Sequence, residues 1–156
     1  MSVKVTDKVT SDGKAFQKML EDLSRLEVRI GFQAGVATEE NGADLCDVAA
    51  WNEFGTHNTP SRPFLRSSVD EHEAEITGFI KSLKTQIARG GVTAEEILKK
   101  FGVFQKGLIQ ETIKDGRFAP NAPSTVARKG SSHPLIDTGT MRASVNFVIE
   151  PKGSRD

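Results

Sequence analysis

The stretch Thr93-Ala-Glu-Glu-Ile-Leu-Lys-Lys-Phe-Gly-Val-Phe-Gln-Lys-Gly-Leu108 predicts one of the two long helices on which the fold depends. Thr93 and Glu96 have the spacing of a capping box, in which each side chain accepts a hydrogen bond from a backbone N–H at the start of the helix. Gly116 is typical of the residue that follows a helix end. The apolar positions between these ends recur as on one face of a helix: Ile97, Phe101, Phe104 and Leu108.

A second long helix is predicted before this stretch, from about Phe64 to Ala88. Its apolar stripe comprises Val69, Ile76, Phe79, Ile80, Leu83 and Ile87. The segment Arg89-Gly90-Gly91 separates the two helices, because glycine is a poor helix former. Gly102 and Gly107 lie inside the later helix, where each costs roughly 1 kcal/mol relative to alanine. They indicate either close backbone contact with a neighbour or tolerated weak points.

Shorter elements complete the pattern. Helical spacing over 13–25 and 45–54 predicts two more helices, of which the second is ended by Gly55. Alternation of apolar and polar residues over 27–33 and 145–149 predicts two half-buried strands. The order of these elements predicts an α+β fold, with a small antiparallel sheet packed by two long helices and with extended loops.

Length and composition limit the classes of function. The 156 residues suit one domain, expected over 13–150, with a flexible arm at 1–12 and a flexible tail at 151–156. Lysine plus arginine (21) equals aspartate plus glutamate (21), and this zero net charge argues against a general nucleic-acid binder. The chain starts without an apolar run, so neither a signal peptide nor a membrane span is expected. The single cysteine, Cys46, suits a reducing cytosol and is interpreted as a buried structural thiol.

Residues that could carry catalysis are few. None of the three histidines, His57, His72 and His133, has the i, i+4 spacing of a helical metal pair, and His72 is interpreted as a surface residue. A metal site of His57, His133 and Asp137, which would make the chain a metal-dependent hydrolase, stays as an alternative. The sequence has no glycine-rich phosphate loop and no Gly-x-Ser-x-Gly elbow. We therefore predict a protein that is not an enzyme and has no catalytic residue, no cofactor and no metal.

The corner before the helix that starts at Phe64 has a distinctive sequence, Val48-Ala-Ala-Trp-Asn-Glu-Phe-Gly-Thr56 followed by Pro60-Ser-Arg-Pro-Phe-Leu-Arg66. Gly55 ends a helical turn, and Phe54 is expected to tuck beneath it. Phe64 is predicted to be the buried anchor of the long helix.

The same corner contains a proline and two opposite charges. Pro63 suits the first helical position, because its fixed φ matches a helix and its missing N–H would be unpaired there. Arg62 is placed to pair with Glu53 across the loop. From the residues alone, this segment is interpreted as a helix–loop–helix corner.

A second distinctive segment is Gly116-Arg-Phe-Ala-Pro-Asn-Ala-Pro-Ser-Thr-Val-Ala-Arg-Lys-Gly130, followed by Pro134-Leu-Ile-Asp-Thr-Gly-Thr-Met-Arg-Ala-Ser144. Ser124 is expected to cap a short helical turn that ends at Lys129, and Thr138 is expected to cap the next turn. Arg128 and Lys129 form a basic pair, interpreted as solvated side chains rather than a phosphate contact.

Taken together, these segments resemble the tailed-phage head–tail joining family, the neck or tail-completion proteins, and the related virion-morphogenesis proteins. The resemblance lies in Asn52-Glu-Phe-Gly-Thr56 with Arg62-Pro-Phe64, in Pro120–Lys129 and in Pro134–Ser144, and it extends over about 27–149. It implies a structural virion protein, made in the host cytoplasm, that forms a ring at the head–tail junction and joins the DNA-filled head to the tail.

The resemblance also implies partners. They are further copies of this chain, commonly with the six-fold symmetry of the tail, and neighbouring head-completion, tail-terminator or tail-tube proteins, with DNA passing through the ring lumen and no membrane contact. The residues that carry the first motif are Asn52, Glu53, Phe54, Gly55, Arg62, Pro63 and Phe64. The candidates for partner contact are Ser124, Arg128, Lys129, Asp137, Thr138 and Arg142.

Other stations in the virion stay open as alternatives, namely a tail-terminator or minor tail subunit, and so does a DNA-binding accessory protein. The loop 34–44 and the segment 118–133 are long runs without strong structure, which are often functional. We expect 118–133 to be mobile in the isolated subunit and to become ordered against a neighbour.

Overall fold

The computed structural model describes residues 9–39 and 42–154. Its elements are α1 (Ser11–Arg25), β1 (Leu26–Gly31), α2 (Leu45–Phe54), α3 (Phe64–Asp70), α4 (Glu73–Arg89), α5 (Ala94–Asp115), α6 (Pro123–Lys129), α7 (Thr140–Ser144) and β2 (Asn146–Pro151). The predicted α+β class is confirmed, with a small antiparallel sheet packed by a long helix. None of the helices described between residues 9 and 154 is both long and apolar enough to span a membrane.

The sheet joins the two ends of the described chain. β1 and β2 pair antiparallel, from Leu26 opposite Pro151 to Gly31 opposite Asn146. The Lys152 N–H extends the pairing by donating to the carbonyl of Arg25 at 2.7 Å. The predicted flexible tail therefore begins too early, because Pro151 belongs to a strand; its last two residues, 155 and 156, lie outside the described residues.

The start of the domain also differs from the prediction. α1 begins at Ser11, where the Thr10 hydroxyl accepts a hydrogen bond from the Gly13 N–H at 3.1 Å. The predicted arm 1–12 is thus too long by at least two residues, because a capping threonine starts the helix earlier than the apolar pattern does. Residues 1–8 of that arm lie outside the described residues.

α5 has the ends that the sequence predicts, and it lies against both strands and α3. Thr93 Oγ1 accepts from the Glu96 N–H at 3.2 Å, and Glu96 Oε2 accepts from the Thr93 N–H at 2.9 Å. Gly116 follows the last turn in the left-handed conformation, with φ of 63°. Both predicted helix boundaries are confirmed.

The two glycines within α5 differ in what surrounds them. A Cβ placed on Gly102 would lie 2.5 Å from Cδ2 of Phe147, so the ring of β2 packs directly on the helix backbone. A Cβ on Gly107 would meet nothing within 4 Å. Gly102 therefore marks a close contact inside the subunit, and Gly107 marks a position with open space.

The predicted single helix from Phe64 to Ala88 is wrong, because the chain turns between α3 and α4. The His72 N–H donates to the carbonyl of Val69 at 3.3 Å, one residue short of helical spacing. The carbonyl of Ser68, which that N–H would reach in a continuous helix, lies 3.2 Å from Nδ1 of the His72 ring instead. The His72 ring thus occupies the carbonyl that a continuous helix would use, at a point where the apolar period continues past the break.

The core lies where α2, α3, α5 and α7 meet the end of the sheet. Phe64 is fully buried there, and its ring meets the ring of Phe32 edge-on at a centroid distance of 6.0 Å. A second contact joins the long helices, where Phe79 stacks on Phe104 at 4.1 Å. The core cluster consists of Leu45, Ala49, Phe64, Ile109, Ile113, Leu135, Met141 and Val145.

Candidate interaction cleft

The loop between α2 and α3 folds back onto the end of α2. Gly55 has φ of 77°, and a Cβ at this position would lie 2.8 Å from the backbone nitrogen of Ser61. Glycine is therefore required twice, for the conformation and for the close approach. The Ser61 hydroxyl donates to the carbonyl of Glu53 at 2.7 Å, and the Arg62 N–H donates to the carbonyl of Asn52 at 2.6 Å. This loop fixes the position from which the Arg62 side chain departs.

Glu53 is buried, and its carboxylate caps α3. Its oxygens accept from the backbone N–H groups of Leu65 at 2.8 Å and Arg66 at 3.2 Å. The guanidinium of Arg66, not that of Arg62, pairs with it, at 3.2 Å. The predicted Arg62–Glu53 pair is wrong. The Glu53 carboxylate lies at the positive end of α3, where backbone N–H groups that have no partner within the helix donate hydrogen bonds to it. Pro63 was predicted at the first helical position of α3, but it is the N-cap residue, and the helix begins one residue later, at Phe64.

The two phenylalanines of the motif have opposite environments. Phe64 is buried as predicted, but the prediction for Phe54 is wrong, since this side chain is 74% exposed. Leu45, Ala49 and Glu53 occupy the inward face of α2, which leaves the next residue, Phe54, on the outside. The guanidinium carbon of Arg66 lies 6.0 Å from the Phe54 ring centroid.

Arg62 joins the two motif segments. Its side chain is 6% exposed and donates from Nε to the carbonyl of Ala119 at 2.8 Å. Nη2 donates to the carbonyl of Pro120 at 3.1 Å and to Oδ1 of Asn121 at 3.2 Å, and Nη1 donates to Oδ1 of Asn52 at 3.4 Å. Burial lowers the pKa of Arg62. All four acceptors are neutral, so they fix the guanidinium without compensating its charge.

The short helices of the second segment begin differently from the prediction. Ser124 does not cap α6, because Pro123 takes the first helical position and Ala122 the cap position. Thr138 does reach the start of α7, where its hydroxyl accepts from the Thr140 N–H at 3.3 Å, although Gly139 is the cap residue.

These segments enclose a polar cleft of about 460 Å³, referred to below as the basic cleft. Its charged lining consists of the cations Arg62, Arg128 and Lys129 and the carboxylates Glu39 and Asp137. Six residues singled out in the sequence thus come together at the cleft, namely Asn52, Arg62, Arg128, Lys129, Asp137 and Thr138. The other two contact candidates lie elsewhere: Ser124 is exposed on α6, and Arg142 donates from Nε to the carbonyl of Gln110 at 3.1 Å.

The charges of the basic cleft are not paired with one another. Within 9–39 and 42–154, neither Arg62, Arg128 nor Lys129 forms an ion pair. Burial lowers the pKa of Lys129, and the Asp137 carboxylate opposes this effect. Three cations against two carboxylates leave an excess of one positive charge in the cleft. The arrangement suits an anionic group that approaches from outside the subunit.

The residues of the alternative metal site do not form one. Both ring nitrogens of His133 face backbone carbonyls, Nδ1 at 2.6 Å from Pro134 O and Nε2 at 2.7 Å from Lys114 O. His57 is exposed in the α2–α3 loop, and Asp137 lines the basic cleft. In the part of the chain that the structure describes, no group of three or more His, Cys, Asp or Glu residues could hold a metal ion.

Two further interpretations concern Cys46 and the proline-containing segment. Cys46 is only half-buried, against the prediction of a buried thiol, and its sulfur lies 3.9 Å from the carbonyl of Phe32. The segment 118–133 contacts the rest of the subunit through Arg62, which donates to the carbonyl of Ala119, and through the His133 ring, whose Nε2 lies 2.7 Å from the carbonyl of Lys114. Within the segment, Nδ2 of Asn121 donates to the carbonyl of His133 at 3.1 Å. Comparison of the chain with protein-family models, with curated proteins and with solved structures finds no match.

Proposed function

We propose that the chain is a non-catalytic structural subunit of a tailed phage or prophage, which forms a ring at the head–tail junction and joins the DNA-filled head to the tail. The observation that supports this most is the joining of the two segments that carry the family resemblance. Arg62 of the first segment donates hydrogen bonds to acceptors in the second segment, 57 to 59 positions later in the chain, and both segments line the basic cleft. The motifs thus form one structural unit with one polar surface, as expected of a contact surface between subunits.

A second surface supports an assembly role. The outer side of α2 exposes Trp51 (51%) and Phe54 (74%), which are three residues apart and so lie on neighbouring positions of the helix. Exposed aromatic side chains are enriched at protein interfaces, where they bury much area at low entropic cost. Each subunit of a closed ring contacts two neighbours through two different surfaces. The basic cleft and the aromatic side of α2 are two candidates for such surfaces.

The proposal is tested on particles of the phage or induced prophage that encodes the chain. We expect a closed ring of copies, six where the tail is six-fold, in an electron cryomicroscopy reconstruction of the neck. A deletion allele should yield filled heads and tails that fail to join, and the wild-type gene supplied in trans should restore joining. Absence from purified particles, or a single asymmetric copy per particle, would overturn the proposal. A ring at the end of the tail tube without head contact would support the tail-terminator alternative instead.

A further inference from the structure

We propose that the basic cleft is a carboxylate-binding site whose occupant is the acidic elbow of a second copy of this chain. The acidic elbow comprises the turn between α3 and α4 and the helix residues beside it, with the four exposed carboxylates Asp70, Glu71, Glu73 and Glu75. The inference rests on the proposed ring, and it names the contact that would close the ring.

The cleft has hydrogen-bond donors and positive charge in excess. A guanidinium has five N–H groups, and the four hydrogen bonds of Arg62 leave one without an acceptor among the described residues. Because the side chain is 6% exposed, water compensates its charge poorly. Arg128 and Lys129 add two cations, and the hydroxyls of Thr125 and Thr140 also line the cleft. An incoming carboxylate would meet two or more donors at once, which is the geometry of strong charge-assisted hydrogen bonds.

The acidic elbow has the opposite imbalance. Glu71 pairs with Arg117 at 2.8 Å, and that guanidinium also reaches Asp115 at 3.4 Å. Asp70, Glu73 and Glu75 form no ion pair with any residue in 9–39 or 42–154. These carboxylates flank the break between α3 and α4, and all of them are exposed to solvent.

A second copy fits both surfaces. The chain has zero net charge, so two copies approach without overall repulsion, while the acidic elbow and the basic cleft attract each other. The contact joins two different surfaces of the same chain, and repeated contacts of this heterologous kind generate either a closed ring or a filament. The cleft carboxylates, Glu39 and Asp137, reduce the attraction but do not cancel it, because three cations face them.

Charge reversal on each side tests the contact by sedimentation velocity in low salt. Arg128→Glu with Lys129→Glu reverses the cleft, and Asp70→Lys with Glu75→Lys reverses the elbow. Each double variant alone should associate at least about tenfold more weakly than wild type, because the attraction between cleft and elbow becomes repulsion. An equimolar mixture of the two variants should recover association, since each reversed cleft then meets a reversed elbow. Wild-type association should weaken as salt rises, because the Debye length shortens.

The matched control is Lys14→Glu with Lys99→Glu, which changes net charge by the same amount as the cleft variant at two exposed lysines on α1 and α5. It should associate as wild type does. Circular dichroism establishes that each variant is folded, and Arg128→Glu alone replaces the cleft variant if Lys129→Glu unfolds the chain. Wild type that stays monomeric, or association that survives either reversal, would overturn the inference, as would a mixture that fails to recover. A ring in the virion with an empty cleft would overturn it and leave the proposed function standing.

Discussion

Replacement of Phe64 by alanine tests how the α2–α3 corner is anchored. The side chain is fully buried in the core and meets the Phe32 ring at a centroid distance of 6.0 Å. Loss of the phenyl ring removes its transfer free energy and leaves a cavity, which together cost about 3–5 kcal/mol for a buried phenylalanine. For a domain of this size, each kcal/mol lowers the melting temperature by about 2–4 °C. We therefore expect a melting temperature about 6–20 °C below that of wild type.

The assay is urea unfolding followed by far-ultraviolet circular dichroism, with the slope of free energy against urea compared between variants. An unchanged slope would show that the loss is in stability and not in the extent of unfolding. Phe54→Ala is the matched control, because it removes the same ring from a side chain that is 74% exposed. We expect this control to stay within about 0.5 kcal/mol of wild type. A loss below about 1 kcal/mol for Phe64→Ala, or equal losses for both variants, would refute the burial argument.

Three further predictions follow from packing, electrostatics and exposure. Gly102→Ala should destabilise the fold by roughly 1–3 kcal/mol, because its Cβ would overlap the Phe147 ring. Gly107→Ala should stabilise the fold by about 0.5–1 kcal/mol, because its Cβ would enter open space and alanine is the better helix former. Changes of the same sign for both variants in urea unfolding would contradict this reasoning. Hydrogen bonds from the backbone N–H groups of Gly35 and Cys46, at 2.5 and 2.8 Å, lower the pKa of Asp44, so its stabilisation is complete above the usual aspartate value and is lost as pH falls through the lowered one. Asp44→Asn should therefore flatten the fall in unfolding free energy below about pH 4, and an unchanged acid limb would show that these bonds contribute nothing. Amide hydrogen exchange should show α6, which has no buried residue, gaining protection on assembly, whereas equal and strong protection in free and assembled protein would show that α6 belongs to the monomer core.

Local signals were sufficient to predict much of the fold. The capping box at Thr93 and Glu96, the glycine after α5 and the alternation that gives both strands act within a few residues of where they stand. Such patterns report backbone hydrogen bonds and one buried face, which are set by spacing along the chain. The break at His72 could not be predicted in this way, because a side chain that takes a backbone carbonyl leaves the apolar period unchanged.

The cleft was only partly predictable for a related reason. The sequence indicated the two segments and six of the residues that line the cleft, but it assigned Arg62 to Glu53, an opposite charge on the other side of the loop. The actual acceptors of Arg62 lie 57 to 59 positions away and are backbone carbonyls and an amide oxygen, apart from Asn52. Neutral acceptors carry no charge pattern that a sequence could show. Phe54 was misplaced because helix α2 uses the neighbouring Glu53, a charged residue, on its buried face.

The two buried charges of the corner are compensated in different ways, and this difference explains why the corner is both fixed and positively charged. The Glu53 carboxylate accepts hydrogen bonds from the first N–H groups of α3 and pairs with the Arg66 guanidinium, so its charge is compensated within the subunit. Arg62 donates hydrogen bonds to neutral oxygens only. These bonds hold the side chain in place at the cleft and leave its charge without a counter-ion. A buried cation without a counter-ion is costly, and a direct Arg62–Glu53 pair would have reduced that cost if the corner served stability alone. If the proposed contact forms, the carboxylate of a second copy would supply the counter-charge that Arg62 lacks within the described residues, and this ion pair would contribute to the specificity of assembly.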